Sequence, residues 1–214
     1  MVSLVTGAGG LLGHSLANIL AQNDESVRAL IRKASDKDLF DLNNIETIIG
    51  DLTDQGSLRA AVKGVDVVYH CAATSTDWAD WDTFYSGNVD GVKNLLDAVI
   101  AESKAIRFVH VSSTDVYGFP VRVVSEEAPM VDVGLPYNKT KIISENLVQQ
   151  AYKEHGLPIT IIRPGTIYGP RSADLNDEIH EQLKAGMMPL ISAGCSSPGL
   201  SFVDNVSNAM IKAA

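Results

Sequence analysis

Short runs of β-branched and aliphatic residues alternate along the chain with stretches in which apolar positions recur every three or four residues. The first pattern belongs to buried strands and the second to amphipathic helices, so their alternation predicts βαβ units on a parallel sheet. Strands are predicted at 2–5, 26–31, 46–49, 65–71, 107–112 and 157–162. A helix is expected over 11–21 after a Gly-rich turn, and another over 89–102, where Val92, Leu95, Leu96, Val99 and Ile100 share one face. The longest helical pattern covers 137–154 and is followed by Gly156, a natural cap. Beyond Gly169-Pro170 the period weakens: 177–185 looks helical, and 210–214 looks like the start of a helix that the chain cuts short. The expected fold is α/β, a doubly wound parallel sheet with crossovers of ordinary length.

Composition narrows what such a domain does. At 214 residues, 45% hydrophobic and 20% charged, the chain suits one globular domain or one with a small appendage. Its 17 basic and 26 acidic side chains leave a net charge of −9, which argues against a nucleic-acid or anionic-membrane partner. No apolar run is long enough to span a bilayer, and the first residues lack the basic segment and cleavage site of a signal peptide. Cys71 and Cys195 are far apart, which suits free thiols in a reducing, cytoplasmic setting. The five histidines are scattered without ligand spacing, so no metal site is expected.

The first strand runs into Thr6-Gly7-Ala8-Gly9-Gly10-Leu11-Leu12-Gly13, a Gly-x-x-Gly-x-x-Gly turn at the first βα junction. A turn without side chains lets backbone approach a diphosphate, and the helix behind it offers N–H donors and a positive dipole end. The second strand ends in Arg32-Lys33, where a base accommodates a ribose 2′-phosphate, so NADP(H) is favoured over NAD(H). Asp51-Leu52, after the third strand, suits an adenine amino group and ring face, although Asp51 reads nearly as well as a turn residue.

Tyr137 and Lys141 lie four residues apart, on one face of the long helix. A phenol works as acid or base near neutrality only if its pKa falls, and an adjacent ammonium is expected to lower it while holding a ribose hydroxyl. Ser113 ends the fifth strand, at the sheet edge that faces ligands in such folds, and suits the substrate oxygen. With six tyrosines and ten lysines, chance predicts about 0.3 Tyr-x-x-x-Lys pairs; this one is unique and follows a Gly-rich turn and a Ser-Ser strand end.

Taken together with His70-Cys-Ala-Ala73, Asn88-Val-Asp-Gly-Val-Lys-Asn-Leu95, Ser112-Ser-Thr-Asp-Val-Tyr-Gly118, Arg163-Pro-Gly-Thr-Ile-Tyr-Gly-Pro170 and Phe202-Val-Asp-Asn205, these motifs resemble the extended short-chain dehydrogenase/reductases of the NAD-dependent epimerase/dehydratase superfamily. The Thr-Gly-Ala-Gly-Gly turn and the segment from Asp77 to Tyr85 are most similar to the 3β-hydroxysteroid dehydrogenase and dihydroflavonol reductase-like branch. The resemblance implies a Rossmann domain over 1–170 and a partial, truncated substrate region over 171–214, because relatives continue well past the Phe-Val-Asp segment. It implies Tyr137 as proton donor or acceptor, Lys141 as its modulator and Ser113 as the anchor of the substrate oxygen. It also implies cofactor contacts from Gly7, Gly10, Leu11, Leu12 and Gly13, from Ala72 and Ala73, and from Pro164 and Ile167 at the nicotinamide. Asn88 aligns with an Asn that shapes the site, and reads equally as a helix cap. A homodimer through the helices around Val89 and Tyr137 is implied in the same way.

The expected activity is NAD(P)-dependent interconversion of a carbonyl and a secondary alcohol. The alternative is a nucleotide-sugar epimerase or dehydratase with tightly held NAD, although Thr114 stands where dehydratases carry an acidic pair. A non-catalytic nucleotide sensor is a third reading, opposed by the intact Ser/Tyr/Lys set. On the substrate side, Trp78, Trp81 and Phe84 either line the crevice for a hydrophobic substrate or pack a helix onto the sheet. Met187 and Met188 read as loop packing, and Arg171 as a partner for a substrate phosphate or carboxylate, or as a solvated charge.

Overall fold

The computed structural model describes residues 1–76, 78–102, 104–120, 123–172, 178–187 and 199–214. The chain alternates β1 (Val2–Thr6), α1 (Leu11–Gln22), β2 (Ser26–Ile31), β3 (Ile45–Ile49), α2 (Gln55–Val62) and β4 (Val67–His70). It continues through α3 (Trp81–Tyr85), a π-helical turn (Ser86–Asp90), α4 (Gly91–Ile100), β5 (Arg107–Val111), α5 (Pro136–His155) and β6 (Ile159–Ile162). The remaining elements are β7 (Ile167–Tyr168), α6 (Glu178–Lys184), β8 (Ser201–Phe202) and α7 (Val203–Ala213). Short 3-10 turns occupy Ala34–Leu39 and Thr114–Tyr117.

Six strands form one parallel sheet in the order β3-β2-β1-β4-β5-β6, and β7 and β8 form a separate parallel pair. The order reverses between β1 and β4, so the crevice outside their carboxyl ends is where this architecture takes a ligand. Successive strand residues point to opposite faces, and both faces are covered. Leu4, Val68 and Phe108 pack with Leu58, Leu95, Val99 and Val148 of α2, α4 and α5. Val5, Val67, Tyr69 and Val109 pack with Leu16 and Leu20 of α1 and with Val206 and Met210 of α7.

The last helix corrects the sequence reading: Met210 lies near the end of α7, whose apolar period starts at Val203 and places Val203, Val206 and Met210 in the core. Its start directly after two strand residues hides the onset of the helical period in sequence. Ser15 of α1 ties the helix down by donating to Asp204 Oδ1 at 2.8 Å and sharing a hydrogen bond with Ser207. The short helix α2 has no counterpart in the sequence reading, and α3 answers to the alternative in which the Trp78/Trp81/Phe84 segment packs a helix onto the sheet; each starts on an aspartate (Asp54 or Asp80) that caps a backbone N–H. Among the described residues no helix is long and apolar enough to cross a membrane.

Phe108 is fully buried between the sheet and α4/α5. Phe108→Ala is expected to cost about 3–5 kcal/mol of folding stability, read as a lower midpoint in urea unfolding.

Candidate active site

The Gly-rich turn is shaped by contacts that only glycine permits. Gly7 has φ 66, and a Cβ there would come within 2.8 Å of the Ala72 backbone. A Cβ on Gly13 would collide with the Gly7 carbonyl oxygen, so α1 packs directly onto the turn. Gly10 N–H closes the turn on the Gly7 carbonyl at 2.9 Å, and no side chain caps α1. The N-terminal donors of α1 therefore face the crevice with no acidic side chain in the first turn. Such a cradle fits the diphosphate of a dinucleotide, with Gly7, Gly10, Leu11, Leu12 and Gly13 supplying backbone.

Around this turn the predicted nucleotide-side residues assemble from four segments. Arg32 is exposed just beyond β2. Asp51 accepts from both the Thr53 N–H (2.9 Å) and hydroxyl (2.8 Å) through Oδ1, and these bonds, with the Arg32 charge adding, hold its carboxyl below the usual range. Leu52 lies against Gly91, where a Cβ would stand 2.8 Å from its Cδ1. Ala72 N–H donates to the Thr6 hydroxyl at 3.2 Å, and the loop carrying Ala72 and Ala73 is held by Asn88. Asn88 accepts from Thr74 N–H at 2.7 Å and donates to the Thr74 carbonyl and the Thr140 hydroxyl, both at 3.1 Å. It shapes the site by tying this loop to α5, and it stands inside the π-helical turn, not at a helix cap. Sequence reasoning missed Asp36, whose carboxylate would lie 2.8 Å from a Cβ on Gly9. It lies in the 3-10 turn Ala34–Leu39, five positions past the end of β2, where a carboxylate was sought.

Ser113, Tyr137 and Lys141 come together at the carboxyl edge of β5. Ser113 caps the Thr114–Tyr117 turn by accepting from Asp115 N–H at 3.1 Å, which fixes its hydroxyl toward α5. Lys141 is buried, donates to the Val111 carbonyl at 3.0 Å and places its ammonium 5.7 Å from the Tyr137 ring centre. An ammonium has three donors, so two remain for the crevice. The electrostatics correct the sequence expectation. Burial, then the Asp115 carboxylate, pushes the Tyr137 phenol up to about 12, against the opposing hydrogen bond from Ser113. Burial likewise pushes Lys141 down to about 8. The low-dielectric floor penalises both charged forms and outweighs their proximity.

Beneath them lies a polar layer that sequence spacing does not reveal. Glu145, one turn after Lys141 and fully buried, accepts from Arg163 Nε at 2.8 Å and Nη2 at 2.6 Å. Arg163 also donates to the Tyr117 hydroxyl (2.6 Å) and the Glu126 carbonyl (2.9 Å). His70 and His110, forty residues apart, are register partners on β4 and β5, with rings stacked 5.4 Å apart. Burial holds both neutral, His70 at about 3, and Thr6 shares a 2.8 Å hydrogen bond with His70 Nδ1.

On the open side, the aromatic triplet divides. Phe84 is buried with its ring edge-on to Tyr137 at 6.1 Å, whereas Trp78 is 91% exposed and Trp81 lies beneath Lys139. Pro164 accepts from Thr114 N–H, and Ile167 pairs with Ser201 on β8 while packing partly into the α1/α7 core. Arg171 points to the phosphate turn, donating to the Gly9 carbonyl at 3.2 Å. Met187 is exposed, and Asp77, Met188 and Cys195 lie outside the described residues.

Comparison with known proteins identifies the family of the chain. The profile of the NAD dependent epimerase/dehydratase family matches residues 3–214. The chain is 37% identical to sterol demethylase protein B of Methylococcus capsulatus over 175 residues, covering 79% of this chain and 52% of that protein. It is 31% identical to the sterol-4-alpha-carboxylate 3-dehydrogenase (decarboxylating) of Bos taurus over 216 residues, covering 98% of this chain and 59% of that protein. The chain thus spans little more than half the length of these relatives. The UDP-glucuronic acid 4-epimerase of Bacillus cereus, solved with UDP-glucuronic acid and NAD, superposes with a TM-score of 0.88 at 27% identity, over 100% of this chain and 73% of that one.

The depressed Lys141 has a measurable consequence. From about pH 8 toward its unfolded value near 10.4, the unfolded chain holds a proton that the folded one has released, so this group makes stability rise with pH. Cys71, pushed up to about 12, and Tyr137 act in the opposite sense, above roughly pH 9 and 10 respectively. Lys141→Met is therefore expected to gain most over wild type at pH 7 and to lose about half of that advantage by pH 9.5, as read from urea midpoints across the range.

Proposed function

We propose that this chain, which belongs to the NAD dependent epimerase/dehydratase family, carries the nucleotide-binding part and proton-transfer centre of an oxidoreductase that interconverts a carbonyl and a secondary alcohol. The observation that supports this reading is the convergence of Ser113, Tyr137 and Lys141 beside a glycine cradle at the point where strand order reverses. The backbone of Gly7, Gly10, Leu11, Leu12 and Gly13 would hold a nicotinamide nucleotide, which would supply the hydride chemistry. Ser113 holds the substrate oxygen against Tyr137. In reduction the phenol gives its proton to that oxygen, and in oxidation the phenolate takes it back. Lys141 keeps one donor on the Val111 carbonyl and offers the other two to a ribose hydroxyl, and its charge offsets the phenolate as it forms.

A hydride shared between carbon centres needs a dry site, and Phe84, packed on the Tyr137 ring, excludes water from one side. Phe84 also gives the site an apolar edge beside Tyr137, which suits a hydrophobic substrate. NADP(H) is the favoured cofactor, with Arg32 at the 2′-phosphate. A second reading, an epimerase with tightly held NAD, is favoured by the likeness to the Bacillus cereus enzyme.

Nucleotide released on denaturing the purified protein, followed by titration of the emptied protein with NADPH and NADH, separates the two. Little retained nucleotide, with an NADPH preference lost in Arg32→Ala, is the expected result; stoichiometric NAD would favour the epimerase. Tyr137→Phe is expected to lower ketone-dependent NADPH oxidation by about 10²–10⁴-fold while leaving the nucleotide Kd within about twofold. Turnover that survives the substitution would exclude the tyrosine mechanism.

A further inference from the structure

Arg171 sits in a conformation that its residue type does not favour. The turn Gly169-Pro170-Arg171-Ser172 is closed by Ser172 N–H donating to the Gly169 carbonyl at 3.1 Å. Pro170 occupies the first central position, where its fixed φ is at home, and Arg171 occupies the second with φ 75. That geometry is a type II turn, whose second central position selects glycine or asparagine. Among the described residues the other non-glycine with positive φ is Asp24, a type that tolerates it better. A backbone held against its preference is found where the surroundings or a function require it.

The side chain from this turn crosses 162 positions of sequence to meet the phosphate cradle, where Nη2 donates to the Gly9 carbonyl at 3.2 Å. One of five guanidinium N–H groups is engaged in that bond, and the residue is exposed. The cradle itself offers N–H dipoles but no full positive charge: the first turn of α1 is Leu11-Leu12-Gly13-His14. His14 is held below its ordinary value, chiefly by burial and in part by the nearby Arg171 charge, so it supplies none near neutrality. Asp36 adds a carboxylate against Gly9. Among the described residues, Arg171 is therefore the cation placed on the cradle itself to meet a dianionic diphosphate, Arg32 standing just beyond β2.

We propose that Arg171 is a diphosphate ligand of the bound nucleotide, anchored to the Gly9 carbonyl by one donor and presenting the others across the mouth of the cradle. This rests on the nucleotide-binding reading above and adds to it a residue from the far end of the chain. It assigns the guanidinium to the nucleotide, in place of the substrate anion that sequence position suggested.

ADP-ribose, which carries the diphosphate without the nicotinamide, is the probe, measured by calorimetry on wild type, Arg171→Met, Arg171→Lys and Arg171→Gly. Arg171→Met is expected to weaken ADP-ribose by about tenfold or more and to flatten the salt dependence, with part of the affinity restored in Arg171→Lys. Arg171→Gly is expected to bind as weakly as the Met variant while melting at a higher temperature, because it relieves the backbone. Unchanged ADP-ribose affinity in the Met and Gly variants would overturn the proposal. So would a loss accompanied by lower melting temperatures in both, which is the signature of a merely structural role. Wild type that fails to bind ADP-ribose would instead overturn the nucleotide-binding reading on which the proposal stands.

Discussion

The site depends on one buried ion pair. Glu145 and Arg163 meet through two short parallel hydrogen bonds, and Arg163 goes on to Tyr117 and the Glu126 carbonyl. One contact set thus locks the face of α5, the end of β6, the turn after β5 and the loop beyond it. Tyr137 and Lys141 lie on the same helix, two turns and one turn before Glu145, so their reach toward Ser113 follows from how that pair sets the helix. Such a pair adds little net stability against an apolar substitute, but removing one partner strands a buried charge at about 3–5 kcal/mol. Its value here is in fixing geometry. The bidentate arrangement admits one orientation of α5, and a proton-transfer site needs its groups placed to within a few tenths of an ångström.

The same buried layer sets the electrostatics above it. The stacked His70 and His110 rings, held neutral, make a polar floor without charge. Over that floor the phenol of Tyr137 is driven up and the amine of Lys141 down. Both residues are therefore biased toward their neutral forms, and a negative charge developing on the phenol is what would make the ammonium of Lys141 favourable. Ionisation of Tyr137 and charge on Lys141 are coupled by the low dielectric, not by a standing ion pair.

Strands were legible because parallel strands covered on both faces read as continuous apolar runs, which sequence displays directly. All six main-sheet strands begin and end within two residues of the expected limits, and β4 and β6 start latest against their apolar runs because their first residues lie outside the ladder. The eight-residue α2 was illegible because Leu58, Ala61 and Val62 alone mark its buried face, too few positions to display a period. The polar partnerships were illegible for a different reason. Glu145–Arg163, His70–His110 and Arg171–Gly9 each join residues that nothing in local spacing relates.

By itself the sequence determined the alternation of strands and helices, the glycine cradle at the first βα junction and the pairing of Tyr137 with Lys141, because each is a local pattern whose geometry follows from chain periodicity. Only the tertiary structure decided which charges those groups carry, that Phe84 belongs under the tyrosine while Trp78 faces out, that Asn88 serves a loop and that Arg171 faces the cradle. Those outcomes depend on burial and on contacts between distant segments, and neither is encoded in the spacing of neighbours along the chain.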